Sequence, residues 1–213
     1  MTLSTRARDP GPAAHGLADH GCLRAGAAPA HAHLDWVQAA ERLSDASCDE
    51  LIDACCEFPV TPATIVGQDR YAGHRQLEAR KIGKTARTAW LFDLLCGIAA
   101  GSTAAHFKLA LTGITREPQY AVYRPGCGHF GWHNDYSHGL PDAPRKLTIV
   151  IQLSRPEDYE GGRLQTFGIE IEDLPRERGT ILAFPSLVYH QVTPVTRGTR
   201  RALVAWVAGP RVR

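Results

Sequence analysis

The apolar positions in the first half of the chain recur with a helical period. Over residues 35–58 they keep this spacing except at a polar interruption, residues 44–47, which can cap a new helix, so the pattern predicts two short helices. A third helix is predicted over residues 85–105, where leucines and Trp90 form a wide apolar stripe. Such a stripe is typical of a helix that covers one face of a sheet.

The second half of the chain has the short apolar runs of β-strands, separated by turns that contain glycine. The predicted strands are residues 108–112, 119–123, 147–153, 162–167, 179–184, 190–195 and 201–207. Helices followed by many short strands indicate a mainly β fold, with the N-terminal helices packed on one side of an antiparallel sandwich or barrel. A double-stranded β-helix, or jelly roll, is the architecture that we expect.

Length and composition predict the domain organisation. A chain of 213 residues is long enough to form one domain with a substantial core. Residues 1–32 consist mainly of small, polar and basic residues with few large apolar ones, so we expect a disordered leader there. The single domain then covers residues 33–213, and its catalytic β core covers about residues 107–208.

Charge and cysteine content argue against several kinds of partner. The formal net charge of +2, with acidic and basic residues interspersed, gives no strong field toward nucleic acid or a membrane surface. No apolar run approaches the roughly 20 residues of a transmembrane helix. The six cysteines show no paired C-x-x-C spacing, so we expect reduced thiols and a cytoplasmic protein. The oligomeric state stays open, a homodimer included.

Three side chains in the strand-rich half have the spacing of a metal site. His133 and Asp135 flank one residue, so a strand end can direct both at one point, and His190 on a later strand can supply a third ligand. Two histidines and one carboxylate leave three adjacent coordination positions open, which suits non-haem Fe(II) oxygen chemistry. The same ligands also suit Zn(II), and His133 with Asp135 alone is typical of a structural hydrogen bond.

An arginine extends the metal-site hypothesis. Arg200 follows His190 by ten residues, beyond a turn, and begins an apolar strand on which Trp206 shares its face. A planar guanidinium binds a carboxylate through two parallel hydrogen bonds. Iron beside such an arginine predicts a 2-oxo acid co-substrate. Arg201 is adjacent, and strand alternation allows only one of the two arginines to point inward.

Four motifs follow one another in the second half of the chain. They are YRPGCGHFGWHND at residues 123–135, RKLTIVIQL at residues 145–153, YEGGRL at residues 159–164 and HQVTPVTRGTR at residues 190–200. In this order and at these separations they resemble the prolyl-4-hydroxylase-like branch of the 2-oxoglutarate/Fe(II)-dependent oxygenases. The resemblance covers about residues 107–208 and favours Arg200 as the inward arginine.

The resemblance implies a metal centre and its co-substrates. His133, Asp135 and His190 would bind Fe(II), and Arg200 would form a salt bridge with the distal carboxylate of 2-oxoglutarate. The implied reaction consumes 2-oxoglutarate and O2, releases succinate and carbon dioxide, and hydroxylates an unactivated C–H bond. Ascorbate is an implied stimulant of this reaction.

Three further residues have implied roles around the co-substrate. Tyr123 would form a hydrogen bond with 2-oxoglutarate, although a packed strand aromatic is the alternative for this residue. Trp206 would line the same cavity. Some relatives have a hydroxyl group where this chain has Val204, so the second partner of the distal carboxylate is open, and Gln152 is a candidate.

The substrate is the least determined part of the hypothesis. We expect an amino-acid-like small molecule or a prolyl peptide, and the basic residues within 68–84 and 136–145 favour one that bears a carboxylate. Two other functions stay open. One is a catalytically silent jelly-roll module that binds or senses a metal, and the other is a cupin-type dioxygenase that uses no 2-oxoglutarate.

Overall fold

The computed structural model describes residues 38–62, 75–126, 128–136 and 144–210, so the predicted leader lies outside the described residues. Within these ranges the helices are α1 Asp45–Cys56, α2 Ala89–Ser102 with a π-helical continuation Thr103–Phe107, and a 3-10 helix Pro156–Asp158. The strands there are β1 Gln38–Arg42, β2 Val60–Pro62, β3 Arg75–Gln76, β4 Glu78–Lys81, β5 Gly113–Ile114, β6 Gln119–Tyr123, β7 His129–His133, β8 Arg145–Gln152, β9 Tyr159–Gly161, β10 Leu164–Phe167, β11 Ile171–Asp173, β12 Thr180–Pro185, β13 Tyr189–Val192, β14 Val195–Gly198 and β15 Arg200–Ala208.

Two antiparallel sheets make up most of the described structure. The larger sheet has the strand order β1-β12-β8-β15-β6-β4-β2, and β5 pairs with the end of β15. The smaller sheet has the order β11-β10-β13-β7-β3, while β9 and β14 form a separate pair. This arrangement confirms the predicted mainly β fold and agrees with a double-stranded β-helix.

Alternation along the central strands assigns their side chains to two layers. In β8, Leu147, Ile149 and Ile151 belong to one buried cluster with Leu91 and Leu95 of α2. Burying each such side chain contributes about 1.5–3 kcal/mol. The intervening residues of β8 face the smaller sheet. The helices therefore pack on one face of the larger sheet, as the sequence predicts, and leave the other face for the site.

The first predicted helix is wrong in its first part. Residues 38–42 form β1, which pairs with β12, although their alanines and glutamate favour a helix when considered alone. The ladder with β12 outweighs this local preference. The second part is confirmed as α1, where the side chain of Ser44 caps the helix by accepting a hydrogen bond from the backbone N–H of Ser47 at 3.1 Å.

The predicted strand at residues 108–112 is also wrong. The Lys108 backbone has a φ of 48°, and its N–H donates to the Thr103 carbonyl at 3.0 Å, so this residue ends the π-helix. Strand pairing begins only at Gly113, opposite Ala208 of β15. The predicted strand at residues 190–195 divides into parts of β13 and β14.

The described cysteines are free thiols, as their spacing predicts. Cys48 and Cys55 are buried, whereas Cys56 and Cys96 are exposed. Burial raises the pKa of Cys48 to about 11 and the pKa of Cys55 to about 12. Among the described helices, none combines the length and the apolar character needed to cross a membrane.

Candidate active site

A cavity lies between the two sheets. Inward residues of β6, β8 and β15 form one wall, and residues of β7, β10 and β13 form the other. Its empty volume, with the opening to solvent included, is about 460 Å³. The sequence-predicted site residues that line it are His133, Asp135, His190, Arg200, Tyr123 and Trp206.

Three of these residues converge at one point in the cavity. His133 at the end of β7 is paired with His190 of β13 across the ladder, and their ring centroids are 4.2 Å apart. Asp135 follows β7, with Oδ1 3.9 Å from His133 Nε2 and Oδ2 3.5 Å from His190 Nε2. All three residues are buried, and one potential ligand atom from each lies within 4.8 Å of the others.

Backbone carbonyls orient both imidazoles. His133 Nδ1 donates to the Gly131 carbonyl at 2.7 Å, and His190 Nδ1 donates to the Val188 carbonyl at 3.0 Å. Since a carbonyl only accepts, the proton lies on Nδ1 in each ring, and the Nε2 lone pair is available for a cation. Phe130 stacks on His133 with a centroid distance of 3.5 Å and restricts that ring further.

The Asp135 carboxylate is buried beside a guanidinium and the two imidazoles. Burial alone would raise the pKa of Asp135, but the charges that His190 and His133 carry when they are protonated, together with the charge of Arg145, outweigh burial and hold this pKa below its ordinary value. Arg145 Nη1 lies 3.6 Å from Asp135 Oδ1, and its guanidinium stacks 3.8 Å from the centre of the Trp206 ring. An ionised carboxylate beside two imidazole lone pairs fits a divalent cation.

The opposite end of the cavity carries an incompletely paired arginine. Arg200 is 1% exposed and lies 5.0 Å from the centre of the Tyr123 ring. Its Nη2 donates to Gln152 Oε1 at 2.9 Å, whereas Nε and Nη1 have no hydrogen-bond partner among the described residues. Buried donors without partners cost free energy, so this end fits an anion. Arg201 is only partly buried, in agreement with the predicted choice between the arginines.

Gln152 contacts Arg200 and does not line the cavity. Its Oε1 accepts from Arg200, and its Nε2 donates to the Pro175 carbonyl at 3.1 Å. Both ends of this amide are therefore engaged with the protein. A direct contact between Gln152 and the co-substrate stays a prediction, whereas Tyr123 and Trp206 both reach the cavity.

Three residues around the predicted ligands were not predicted to have a role, and these are Phe130, Thr148 and Ser186. Arg145 was predicted only as part of the basic segment 136–145. The Thr148 hydroxyl donates to Asp135 Oδ2 at 2.8 Å and also contacts the Ser186 hydroxyl at 2.9 Å. Alternation along β8 could have assigned Thr148 to the inner face. No local pattern marks Ser186, because only the fold brings it to this site.

Proteins of known family are similar in sequence to this chain. The model of the 2OG-Fe(II) oxygenase superfamily matches residues 118–208. A PKHD-type hydroxylase of Synechococcus sp. (strain JA-3-3Ab) is 31% identical over 151 residues, which are 68% of this chain and 62% of the relative. A PKHD-type hydroxylase of Picosynechococcus sp. is 38% identical over 92 residues, which are 41% of this chain and 40% of the relative. The matches thus span between about two fifths and three fifths of these relatives.

Solved structures have a similar fold. A Pseudomonas putida prolyl-4-hydroxylase superposes with a TM-score of 0.64 and 22% identity, covering 82% of this chain and 92% of that one. A Trichoplax adhaerens prolyl hydroxylase, solved with a peptide fragment of the hypoxia inducible factor oxygen degradation domain, gives a TM-score of 0.69 and 15% identity, covering 82% and 84%. These likenesses concern the fold.

Proposed function

Since this chain belongs to the 2OG-Fe(II) oxygenase superfamily, we propose that it is an Fe(II)- and 2-oxoglutarate-dependent hydroxylase of an unactivated C–H bond. One observation carries the proposal: a single cavity contains both the convergent His133, Asp135 and His190 and a buried Arg200 with unpaired donors. The three ligands alone would also suit Zn(II) or a dioxygenase without 2-oxoglutarate. The arginine adds a place for an anionic group at the other end of the cavity, which the distal carboxylate of 2-oxoglutarate would fill.

Each residue would have a distinct task in this function. His133, Asp135 and His190 would hold Fe(II), which when bound supplies the activation of O2 and of the 2-oxo acid. Arg200 would pair its unpartnered donors with the distal carboxylate of 2-oxoglutarate, and the Tyr123 hydroxyl would donate to the same molecule. The apolar residues between these ends would exclude water from the reacting groups.

The proposed substrate is an amino-acid-like molecule, either free or as a prolyl residue in a peptide. The relatives are PKHD-type hydroxylases, and one structure with the same fold contains a bound peptide. Arg145, beside the ligands, adds a positive charge near the cavity. A substrate that carries a carboxylate or a peptide carbonyl would suit this charge.

The test is a turnover screen with the full chain. The protein is loaded anaerobically with Fe(II), then supplied with 2-oxoglutarate and O2, with or without ascorbate, over a panel of amino acids and short prolyl peptides. Succinate that depends on added 2-oxoglutarate, with a product heavier by one oxygen atom, is the expected result. Oxygenation without 2-oxoglutarate would instead indicate a cupin-type dioxygenase. Absence of any 2-oxoglutarate turnover with bound iron would indicate a silent metal-binding module.

A further inference from the structure

Two buried hydroxyl groups adjoin the Asp135 carboxylate. Thr148 and Ser186 are both fully buried, and their hydroxyl oxygens are 2.9 Å apart. A carboxylate only accepts, so Thr148 uses its single proton toward Asp135 Oδ2, at 2.8 Å. Ser186 must then donate to Thr148. The hydrogen bonds form a chain with one direction, from Ser186 through Thr148 to the carboxylate.

Ser186 also holds the backbone beside the carboxylate. Its carbonyl accepts the N–H of Asp135 at 2.9 Å and the N–H of Tyr136 at 3.0 Å, and its own N–H donates to the Lys146 carbonyl at 2.9 Å. The same residue therefore fixes the main chain of Asp135 and, through Thr148, the orientation of its side chain. These bonds link the segment after β7 to the larger sheet.

Thr148 is well suited to orient a carboxylate. It lies in a central strand, opposite Phe184 of β12 on one side and Trp206 of β15 on the other. A β-branched side chain has restricted χ1 rotation, so the direction of its hydroxyl follows from the strand. Donation to Oδ2 prevents the Asp135 carboxylate plane from rotating freely. Donation from Ser186 polarises this bond and strengthens it.

We propose that Thr148, held by Ser186, is a positioning residue that orients Asp135 for binding of a divalent cation. This inference rests on the proposed function, because it assumes that the three predicted ligands hold a metal. Removal of hydrogen-bond partners behind metal ligands typically lowers metal affinity by about 10–100-fold. A merely structural role would lower the stability of the metal-free protein and leave metal affinity unchanged.

Threonine variants with a matched control test the proposal. Thr148→Val removes the hydroxyl and keeps the shape, while Thr148→Ser keeps the hydroxyl. Thr166→Val is the control, because Thr166 is equally buried, lies opposite His190 in the ladder, and its hydroxyl has no partner among the described residues. Mn(II) affinity of the full chain is measured by electron paramagnetic resonance, together with thermal unfolding without metal.

The expected result is a 10–100-fold weaker Mn(II) affinity for Thr148→Val, with most of the affinity retained by Thr148→Ser and all of it by Thr166→Val. Ser186→Ala should lose less Mn(II) affinity than Thr148→Val. The double variant should bind Mn(II) no more weakly than Thr148→Val alone, because both residues act through the same chain of hydrogen bonds. Ser186→Ala alone also tests the proposal if Thr148→Val does not fold. A weakened Mn(II) affinity in Ser186→Ala then supports the proposal, and wild-type affinity overturns it.

Two outcomes separate this inference from the proposed function. If the wild-type protein binds Mn(II) and Thr148→Val binds it within twofold as tightly, the positioning role is wrong and the proposed function is unaffected. An equal loss in Thr166→Val would likewise overturn the specific role. If the wild-type protein binds no divalent metal, both proposals fail.

Discussion

The two ends of the cavity differ in how far the protein alone completes their hydrogen bonding. At the metal end, backbone carbonyls hold both imidazoles, and a hydroxyl holds the Asp135 carboxylate. At the other end, Arg200 has one partnered nitrogen, and its Nε and Nη1 have no partner among the described residues. The metal end is preorganised before anything binds, whereas the arginine end becomes complete only with an anion.

This difference predicts how each end responds to change. Removal of one of the three metal ligands should abolish tight metal binding, since the remaining two cannot replace it. A substitution at the arginine end should affect only the affinity for the co-substrate. Variants at the two ends therefore separate metal binding from 2-oxoglutarate binding.

Removal of a metal ligand should have the largest effect. His190→Ala should weaken Mn(II) binding by more than about 100-fold, which is the upper limit for loss of a residue that only hydrogen-bonds to a metal ligand. It should also abolish 2-oxoglutarate turnover. Mn(II) titration and succinate formation measure the two losses. His106→Ala is the control, because His106 is exposed on the π-helix. Wild-type metal affinity in His190→Ala would remove this residue from the ligand set.

Arg200→Gln should have the next largest effect, and only on the co-substrate. Removal of one partner of a buried charge pair costs at least about 2 kcal/mol, which corresponds to about a 30-fold higher KM for 2-oxoglutarate. Mn(II) affinity without 2-oxoglutarate should stay at the wild-type value. Arg201→Gln, from the opposite face of β15, is the matched control. A fall in metal affinity for Arg200→Gln would mean that the two ends are not independent.

Gln152→Leu should have a smaller effect on the same quantity. The change removes the acceptor that holds the Arg200 guanidinium in place, and a less well oriented guanidinium should raise the KM for 2-oxoglutarate about fivefold, which corresponds to about 1 kcal/mol. If Gln152 acts through Arg200, adding Gln152→Leu to Arg200→Gln should change the KM little further. Additive losses would indicate a direct contact between Gln152 and the co-substrate.

Tyr123→Phe should have the smallest effect. The ring that lies against Arg200 is kept, so only one neutral hydrogen bond to the co-substrate is lost, at about 0.5 kcal/mol, and the KM should rise about twofold. Steady-state kinetics over a 2-oxoglutarate series measures this. An unchanged KM would favour the alternative that Tyr123 is a packed strand aromatic.

The sequence predicts the parts of the fold in which local pattern and tertiary packing agree. Residues 119–123 are a short and largely apolar run, and they form β6 with the predicted bounds. Residues 38–42 carry good helix formers, yet they pair with β12, and no local signal reveals that pairing. The short strands β2, β3 and β4, which lie at or next to a sheet edge, have too few residues to show a period. They depend on the neighbours that the fold supplies.

The candidate site follows a similar rule. The predicted ligands and Arg200 could be found because metal binding and carboxylate binding demand particular residue types at recognisable separations. The orienting residues Thr148 and Ser186 could not be found in this way. Buried hydroxyl groups are common, and the role of each depends on the group that it contacts. Gln152 was predicted as a candidate partner of the distal carboxylate, near Arg200. Its hydrogen bond with Arg200 could be known only from the structure.

The thiols on the far side of the larger sheet have a practical consequence for spectroscopy. Burial raises the pKa of the Cys55 thiol to about 12 and shields it from solvent, so maleimide and peroxide should react with it very slowly. Cys56 of α1 and Cys96 of α2 are exposed and available for attachment of probes. Labels at these two positions would report on the helical layer without entering the cavity.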